Sequence, residues 1–282
     1  MKKPSPEIDG RAARRRFERA AVTYADASRL EAEIGARMLE RLDYLRIAPR
    51  RILDAGSGPS REAARLNSRY SESQVIALDF SLAMLRSGKQ GFINRLIRSK
   101  SRHALCGDLA RLPVAGGAVD LVWSNMALHW VSEPLAVFKE FGRVLAPEGL
   151  LMFSTLGPDT LKELRAAAGA ARVHEFTDMH DLGDMLVAAG FSAPVMDMEV
   201  VTFTYRDADA MLEDLRAGGQ TNARTDRPRG LGGKGFSEKL RALLGTRSTF
   251  EVVYGHAWKG APRKLADGRD IVEFRRAVGR FP

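Results

Sequence analysis

The stretch Arg51-Ile52-Leu53-Asp54-Ala55-Gly56-Ser57-Gly58-Pro59 reads as a short buried strand running into a glycine turn, with an acid just ahead of the first glycine. Glycines in such a turn let the backbone pass close to a ligand where any Cβ would collide. The dinucleotide fingerprint G-x-G-x-x-G is the obvious comparison. Its third glycine lets the following helix pack on the strand, and that position is Arg61 here. A nicotinamide cofactor is thereby disfavoured. What remains is Asp-x-Gly-x-Gly after a strand, and a Gly-Ser-Gly-Pro turn by itself is more often plain punctuation.

Three further segments fall in a consistent order behind it. Val75-Ile76-Ala77-Leu78-Asp79 is an apolar run ending in an acid about twenty residues beyond the glycine turn. A carboxylate at the end of a second strand can accept both hydrogen bonds of a sugar diol. Cys106-Gly107-Asp108-Leu109 follows, with Leu112-Pro113 behind it, and Val119-Asp120-Leu121-Val122-Trp123-Ser124-Asn125 reads as a fourth strand ending in Asn125. Each acid alone is more often a helix cap or a surface residue than a ligand contact. Together, in this order and spacing, they resemble the motifs of the class I S-adenosylmethionine (SAM) methyltransferases. The resemblance implies SAM as cofactor, held by Asp54, Gly56, Gly58 and Asp79, with Phe80 beside it. Asp108, Leu109 and Asn125 complete the expected site, Asp108 receiving the adenine amino group. One position departs from the pattern: the family turn usually has a third glycine where this chain has Ser60, whose hydroxyl is expected to cap the next helix.

At 282 residues the chain has room for one large domain with an insertion. A single cysteine, Cys106, leaves no intramolecular disulfide and suits a reducing compartment. No apolar run approaches the ~20 residues that cross a bilayer. Arg14-Arg15-Arg16-Phe17 has the look of a twin-arginine signal, but no hydrophobic stretch follows it. Glu7, Asp9 and Glu18 likewise argue against a mitochondrial presequence. A cytoplasmic protein with no membrane association is expected.

The net charge of +9 is unevenly placed. Residues 1–50 carry 12 basic and 8 acidic side chains, residues 51–205 carry 16 and 17, and residues 206–282 carry 16 and 10. The excess lies entirely outside the presumed cofactor-binding core, where it would attract an acidic partner. A solvated basic surface is the plainer reading. Nucleic acid is not expected, because no basic–aromatic interleaving or recognisable nucleic-acid module is present.

Residues 9–47 read as helical, with Leu30, Ile34, Met38, Leu42 and Leu45 forming one apolar stripe. Strand and helix patterns then alternate to about Ala189-Gly190-Phe191, which implies a parallel sheet covered on both faces. Residues 149–156 are the fifth strand, and 198–205 and 250–258 are the last two. By resemblance, one of that pair runs antiparallel. The expected fold is α/β, a Rossmann-like class I methyltransferase with a seven-stranded, mostly parallel sheet. Its predicted divisions are an N-terminal helical cap (1–48), a SAM-binding core (49–205), a lid-like insert (206–248), the last core strand (249–260) and a tail (261–282). Short helices are predicted over 210–215 and 238–244, flanking the glycine-rich Gly230-Leu231-Gly232-Gly233-Lys234-Gly235. That loop lacks a preceding strand and the Walker spacing, so it is not a phosphate-binding loop. The basic segment 95–102 reads as a solvated excursion.

Segments outside the core narrow the family. Phe17-Glu18-Arg19-Ala20-Ala21-Val22-Thr23-Tyr24, Asn125-Met126-Ala127-Leu128-His129-Trp130 and Phe153-Ser154-Thr155-Leu156-Gly157-Pro158-Asp159-Thr160-Leu161 are similar to the malonyl-acyl carrier protein O-methyltransferases of biotin synthesis. So are Asp178-Met179-His180-Asp181-Leu182-Gly183-Asp184, the run from Asp214 through Arg216 and Gln220 to Asn222, and Tyr254-Gly255-His256-Ala257-Trp258. The resemblance covers roughly residues 11–260. It implies methyl transfer to the free carboxylate of a malonyl thioester on an acidic acyl carrier protein. That carboxylate is ionised at neutral pH, so no general base is needed. The scattered histidines and lone cysteine, which offer no nucleophile–base pair and no metal cluster, agree. Tyr24 is expected to close over the cofactor and orient the reacting groups. His129 and Trp130 are expected to wall the acceptor pocket, Trp130 chiefly by packing. Two alternatives are a small-acid carboxyl methyltransferase of the trans-aconitate type and a non-methylating relative resembling mitochondrial complex I assembly factors.

Overall fold

Arg51–Ala55 forms the first strand, β1, and is followed in chain order by β2 (Gln74–Asp79), β3 (Arg102–Cys106), β4 (Val119–Ser124), β5 (Leu145–Leu156), β6 (Phe191–Thr204) and β7 (Arg247–Lys259). They make one seven-stranded sheet in the order β3-β2-β1-β4-β5-β7-β6. The five strands from β3 to β5 run parallel, and β7 is antiparallel to both its neighbours. This is the expected Rossmann-like α/β architecture. The computed structural model describes residues 7–88, 102–230 and 233–260. The tail from 261 and the basic excursion up to residue 101 lie outside the described residues.

The sheet is buried on both faces because successive strand residues supply two separate cores. Ile52, Leu121, Trp123, Leu150 and Met152 face one side, and Leu53, Ala55, Val122, Leu151 and Phe153 face the other. Near-continuous apolar runs are what such a doubly covered strand requires. The predicted stripe Leu30, Ile34, Met38 and Leu42 is buried in the first of these cores, with Leu45 packed against it.

Three helices precede the sheet: α1 (Gly10–Ala20), α2 (Tyr24–Ala27) and α3 (Arg29–Arg41). The Asp9 side chain caps α1 by accepting from the Ala12 amide at 2.9 Å. The span expected to be helical is therefore interrupted twice, and one break leaves Tyr24 at the head of a four-residue helix. Later come α4 (Arg61–Arg69), α5 (Leu82–Ser87), α6 (Pro134–Val144), α7 (Lys162–Ala168) and α8 (Met179–Ala188). Between β6 and β7 lie α9 (Ala208–Ala217) and α10 (Gly233–Leu243), the latter starting earlier than the sequence pattern suggests. No helix among the described residues is long and apolar enough to cross a membrane.

The two charged flanks are held together. Asp9 N donates to Ala223 O at 2.7 Å, Thr225 N to Glu7 O at 2.9 Å, and Arg227 pairs with Asp9 at 3.0 Å. Gly219, at φ 71, lets the end of α9 approach α1 so closely that a Cβ there would sit 3.2 Å from both Phe17 and Ala20.

Candidate active site

Strand order reverses between β1 and β4, and ligands in open α/β sheets bind at the carboxyl ends of strands at such a switch point. The turn after β1 is shaped for it. Gly56 has φ 80, and a Cβ there would lie 2.3 Å from the Ala127 Cβ, so only glycine fits. Gly58 has φ 53, and a Cβ on it would stand 3.6 Å from the Tyr24 ring. Ser60 is also left-handed, at φ 64, which explains why glycine suits this position. The expectation that its hydroxyl caps α4 is not met: the residue at the cap position has a left-handed backbone rather than the extended one a capping side chain needs, and it makes no side-chain cap hydrogen bond.

Asp79 ends β2 and is buried, its two oxygens accepting from Gly58 N at 2.9 Å and Ser81 N at 2.8 Å. Burial, outweighing those two hydrogen bonds, raises its pKa to about 6. Asn125 is fixed from two sides: its Oδ1 accepts from Ser154 Oγ at 2.8 Å, and its Nδ2 donates to the Glu31 carbonyl at 2.8 Å. Asp108 is exposed beyond β3 and accepts from Ala110 N at 2.9 Å.

A cavity of about 340 Å³ gathers these groups. Tyr24, Gly56, Gly58, Asp79, Phe80, Asp108, Leu109 and Asn125 all line it, and Trp130 closes one side. Asp54 instead lines a small recess of about 30 Å³ shared with Tyr24, Gly56, Gly58 and Asn125. A second cavity of about 330 Å³ opens on the other side of Trp130, between β5, α7, α9 and α10. His129 lines this one; Tyr24 does not. The partition is aromatic: Trp130 stands edge-on to Phe17 at 4.8 Å and to His174 at 4.9 Å, and Phe17 touches Tyr24 and Phe80.

The charges of the two cavities are opposite. Four acids, Glu31, Asp79, Asp108 and Glu133, line the first, and its described lining holds no lysine or arginine. Arg172 and Arg216 line the second, whose described lining holds no acid. Neither arginine makes an ion pair among the described residues; Arg172 stacks on Phe236 at 4.0 Å. Burial lowers the pKa of His129 to about 3 and that of His174 to about 4, so both rings are neutral near pH 7.

Comparison with known proteins decides the family. A protein from Methylovorus sp. strain MP688 named malonyl-[acyl-carrier protein] O-methyltransferase is 48% identical to this chain, covering 95% of each. A protein of the same name from Laribacter hongkongensis is also 48% identical, over 92% of this chain and 93% of its own. The chain belongs to this O-methyltransferase family. Residues 53–153 match the family model described as a methyltransferase domain. The fold resembles the solved YcgJ protein from Bacillus subtilis, with a TM-score of 0.59 at 14% identity over 79% of this chain and 97% of that one.

This chain is thus a SAM-dependent methyltransferase, and the first cavity fits the cofactor chemically. SAM is cationic at sulfur, and the cavity is lined with acids. Its ribose diol needs acceptors, and Asp79 is a buried carboxylate at a strand end. Phe80, Met84 and Leu109 offer apolar surface for the adenine. Sequence reasoning missed Glu31, Arg172 and His174. Gln220 and Arg216 sat within a quoted family motif without a role. The Tyr254–Trp258 segment of that reading belongs to β7, where Tyr254 donates to Glu199, away from both cavities.

Proposed function

We propose that the chain transfers the methyl group of SAM to the free carboxylate of a malonyl thioester carried by an acyl carrier protein, as in biotin synthesis. The observation that carries this reading is the pair of oppositely charged cavities meeting at Trp130. SAM, when bound, supplies an electrophilic methyl on a positively charged sulfur. Asp79 would hold the ribose, with Asp54, Gly56, Gly58, Phe80, Asp108, Leu109 and Asn125 around the rest of the cofactor. Arg172 and Arg216 would draw the malonyl carboxylate through the second cavity, whose walls are rich in leucine, to its boundary with the first at Trp130.

The chain needs no base, because the acceptor is already anionic. Neutral His129 and His174 are consistent with a site that only positions. His129 Nδ1 is enclosed without a hydrogen-bond partner among the described residues. Tyr24 remains a phenol, because burial holds its pKa well above the ordinary range. Its hydroxyl would donate to the carboxylate oxygen that does not attack. Proximity of this kind is worth several kcal/mol, up to roughly 7–11.

An acidic carrier protein would dock on the joined flanks. Arg11, Arg15 and Arg19 of α1 are exposed, as are Arg229, two residues beyond the Arg227–Asp9 pair, and Lys234 and Lys239 of α10, and none of them forms an ion pair among the described residues. A small acid of the trans-aconitate type would make little use of that surface. Cytoplasmic location and the absence of nucleic-acid or membrane partners belong to the same reading. Methyl transfer from labelled SAM to malonyl-carrier protein, malonyl-CoA and trans-aconitate in parallel tests it. We expect the carrier protein to be methylated with the highest kcat/KM; preference for trans-aconitate, or no transfer to any of the three, would overturn it.

A further inference from the structure

Glu31, on the first turn of α3, carries a carboxylate that the fold leaves half used. Its Oε1 accepts from the Gln220 amide, while Oε2 is enclosed and has no hydrogen-bond partner among the described residues. Among the described residues no lysine or arginine forms an ion pair with it. Arg61, the arginine closest to it in charge influence, is committed to the Ser28 and Ala25 carbonyls and the Ser28 hydroxyl, and Arg29 pairs with Asp214. An enclosed carboxylate without a partner is costly, and such a group in a cavity wall points to a ligand that supplies the missing donor.

Its place along the sheet edge identifies which part of a ligand that is. Asp108 follows β3, Asp79 ends β2, Gly56 follows β1 and Asn125 follows β4, so the cofactor cavity crosses four adjacent strands. Asn125 is hydrogen-bonded to the Glu31 backbone, which fixes Glu31 at the β4 end. That end is about 14 Å, three strand spacings, from the Asp108 end. A nucleoside lying with its base over β3 and its ribose at Asp79 sends its 5′ substituent toward Glu31. In SAM that substituent ends in a primary ammonium and a carboxylate. A carboxylate at Glu31 would be repelled, whereas an ammonium supplies both the donor and the compensating charge.

We infer that Glu31 is the binding partner of the cofactor's α-ammonium, with Gln220 orienting its carboxylate from the acceptor side. Gln220 also lines the second cavity, so the cofactor's amino-acid end and the acceptor pocket share one hydrogen-bonded link across the cap and the α9 segment. This rests on the cofactor placement proposed above.

Calorimetry on the full chain separates the two claims. Three ligands are titrated into the wild type and Glu31→Gln: S-adenosylhomocysteine, its analogue lacking the α-amino group, and 5′-methylthioadenosine, which has no amino-acid end. We expect loss of the amino group to weaken wild-type binding by about tenfold or more. Glu31→Gln should bind the first two ligands equally, and methylthioadenosine as the wild type does. The inference is overturned if the wild type does not distinguish the first two, if the variant still does, or if the variant loses methylthioadenosine affinity in the same proportion. If the variant fails to fold, a wild type that does not distinguish the first two ligands still overturns the inference. Affinity for S-adenosylhomocysteine left unchanged by Asp79→Ala, with the fold intact, would instead overturn the cofactor placement on which this rests.

Discussion

At the scale of single residues, Tyr24 and Asp79 carry the tests that separate binding from chemistry. Tyr24→Phe removes one hydroxyl and leaves the ring against Phe17 and Gly58. If that hydroxyl orients the acceptor, turnover should fall about tenfold or more, the worth of a hydrogen bond to a charged group, while SAM affinity barely changes. A matched loss of melting temperature and activity would mean that Tyr24 is only a core residue. Asp79 makes a pH prediction whose sign follows from its raised pKa. Its unfolded value is near 3.8 and its folded value about 6, so ionisation opposes folding and the cofactor-free protein should lose stability between about pH 4 and pH 6. Ribose binding favours the ionised acceptor, so SAM affinity should instead fall as pH drops below about 6. Asp79→Asn should flatten that dependence, and an affinity profile unchanged by the substitution would remove Asp79 from the ribose. These strand-end acids could be read from sequence because each closes an apolar run. Glu31, Arg172 and Gln220 could not, because nothing in their local pattern distinguishes them from surface residues; the contact between the cap and the α9 segment joins Glu31 to Gln220, and the packing of α7, α9 and α10 encloses the cavity at Arg172.

Elements follow the same division. The strands and the α3 stripe were legible because burial on one or two faces imposes a period that survives in the sequence. Ile34, fully buried beneath the sheet, is the most direct check: Ile34→Ala should destabilise the fold by about 2–5 kcal/mol in denaturant titration. A cost below about 1 kcal/mol would mean the cap is only loosely attached. Breaks within elements were not legible. The turn that frees Tyr24 from α1 and the early start of α10 depend on packing against distant segments rather than on local propensity. Ser60 lies between these cases. Its left-handed backbone predicts that Ser60→Gly relieves strain of about 1 kcal/mol, less the extra freedom glycine gives the unfolded chain. A clear loss of stability on that substitution would contradict the strained turn.

For the whole molecule, the uneven charge visible in composition becomes a surface only when the N-terminal helices and the 206–248 segment meet. Exposed pairs are screened as the Debye length shrinks below ~10 Å, so added salt should raise the KM for malonyl-carrier protein far more than that for malonyl-CoA. Combined reversal of Arg229, Lys234 and Lys239 to glutamate should have the same effect and leave SAM affinity alone. An equal response of both acceptors would rule out docking on this face. The central claim, that two oppositely charged cavities bring a methyl donor to a carboxylate, is tested most directly by intact-mass analysis of carrier protein incubated with the enzyme and SAM. Malonyl-carrier protein should gain one methyl group and acetyl-carrier protein, which has no free carboxylate, none. Methylation of both, or of neither, would contradict it.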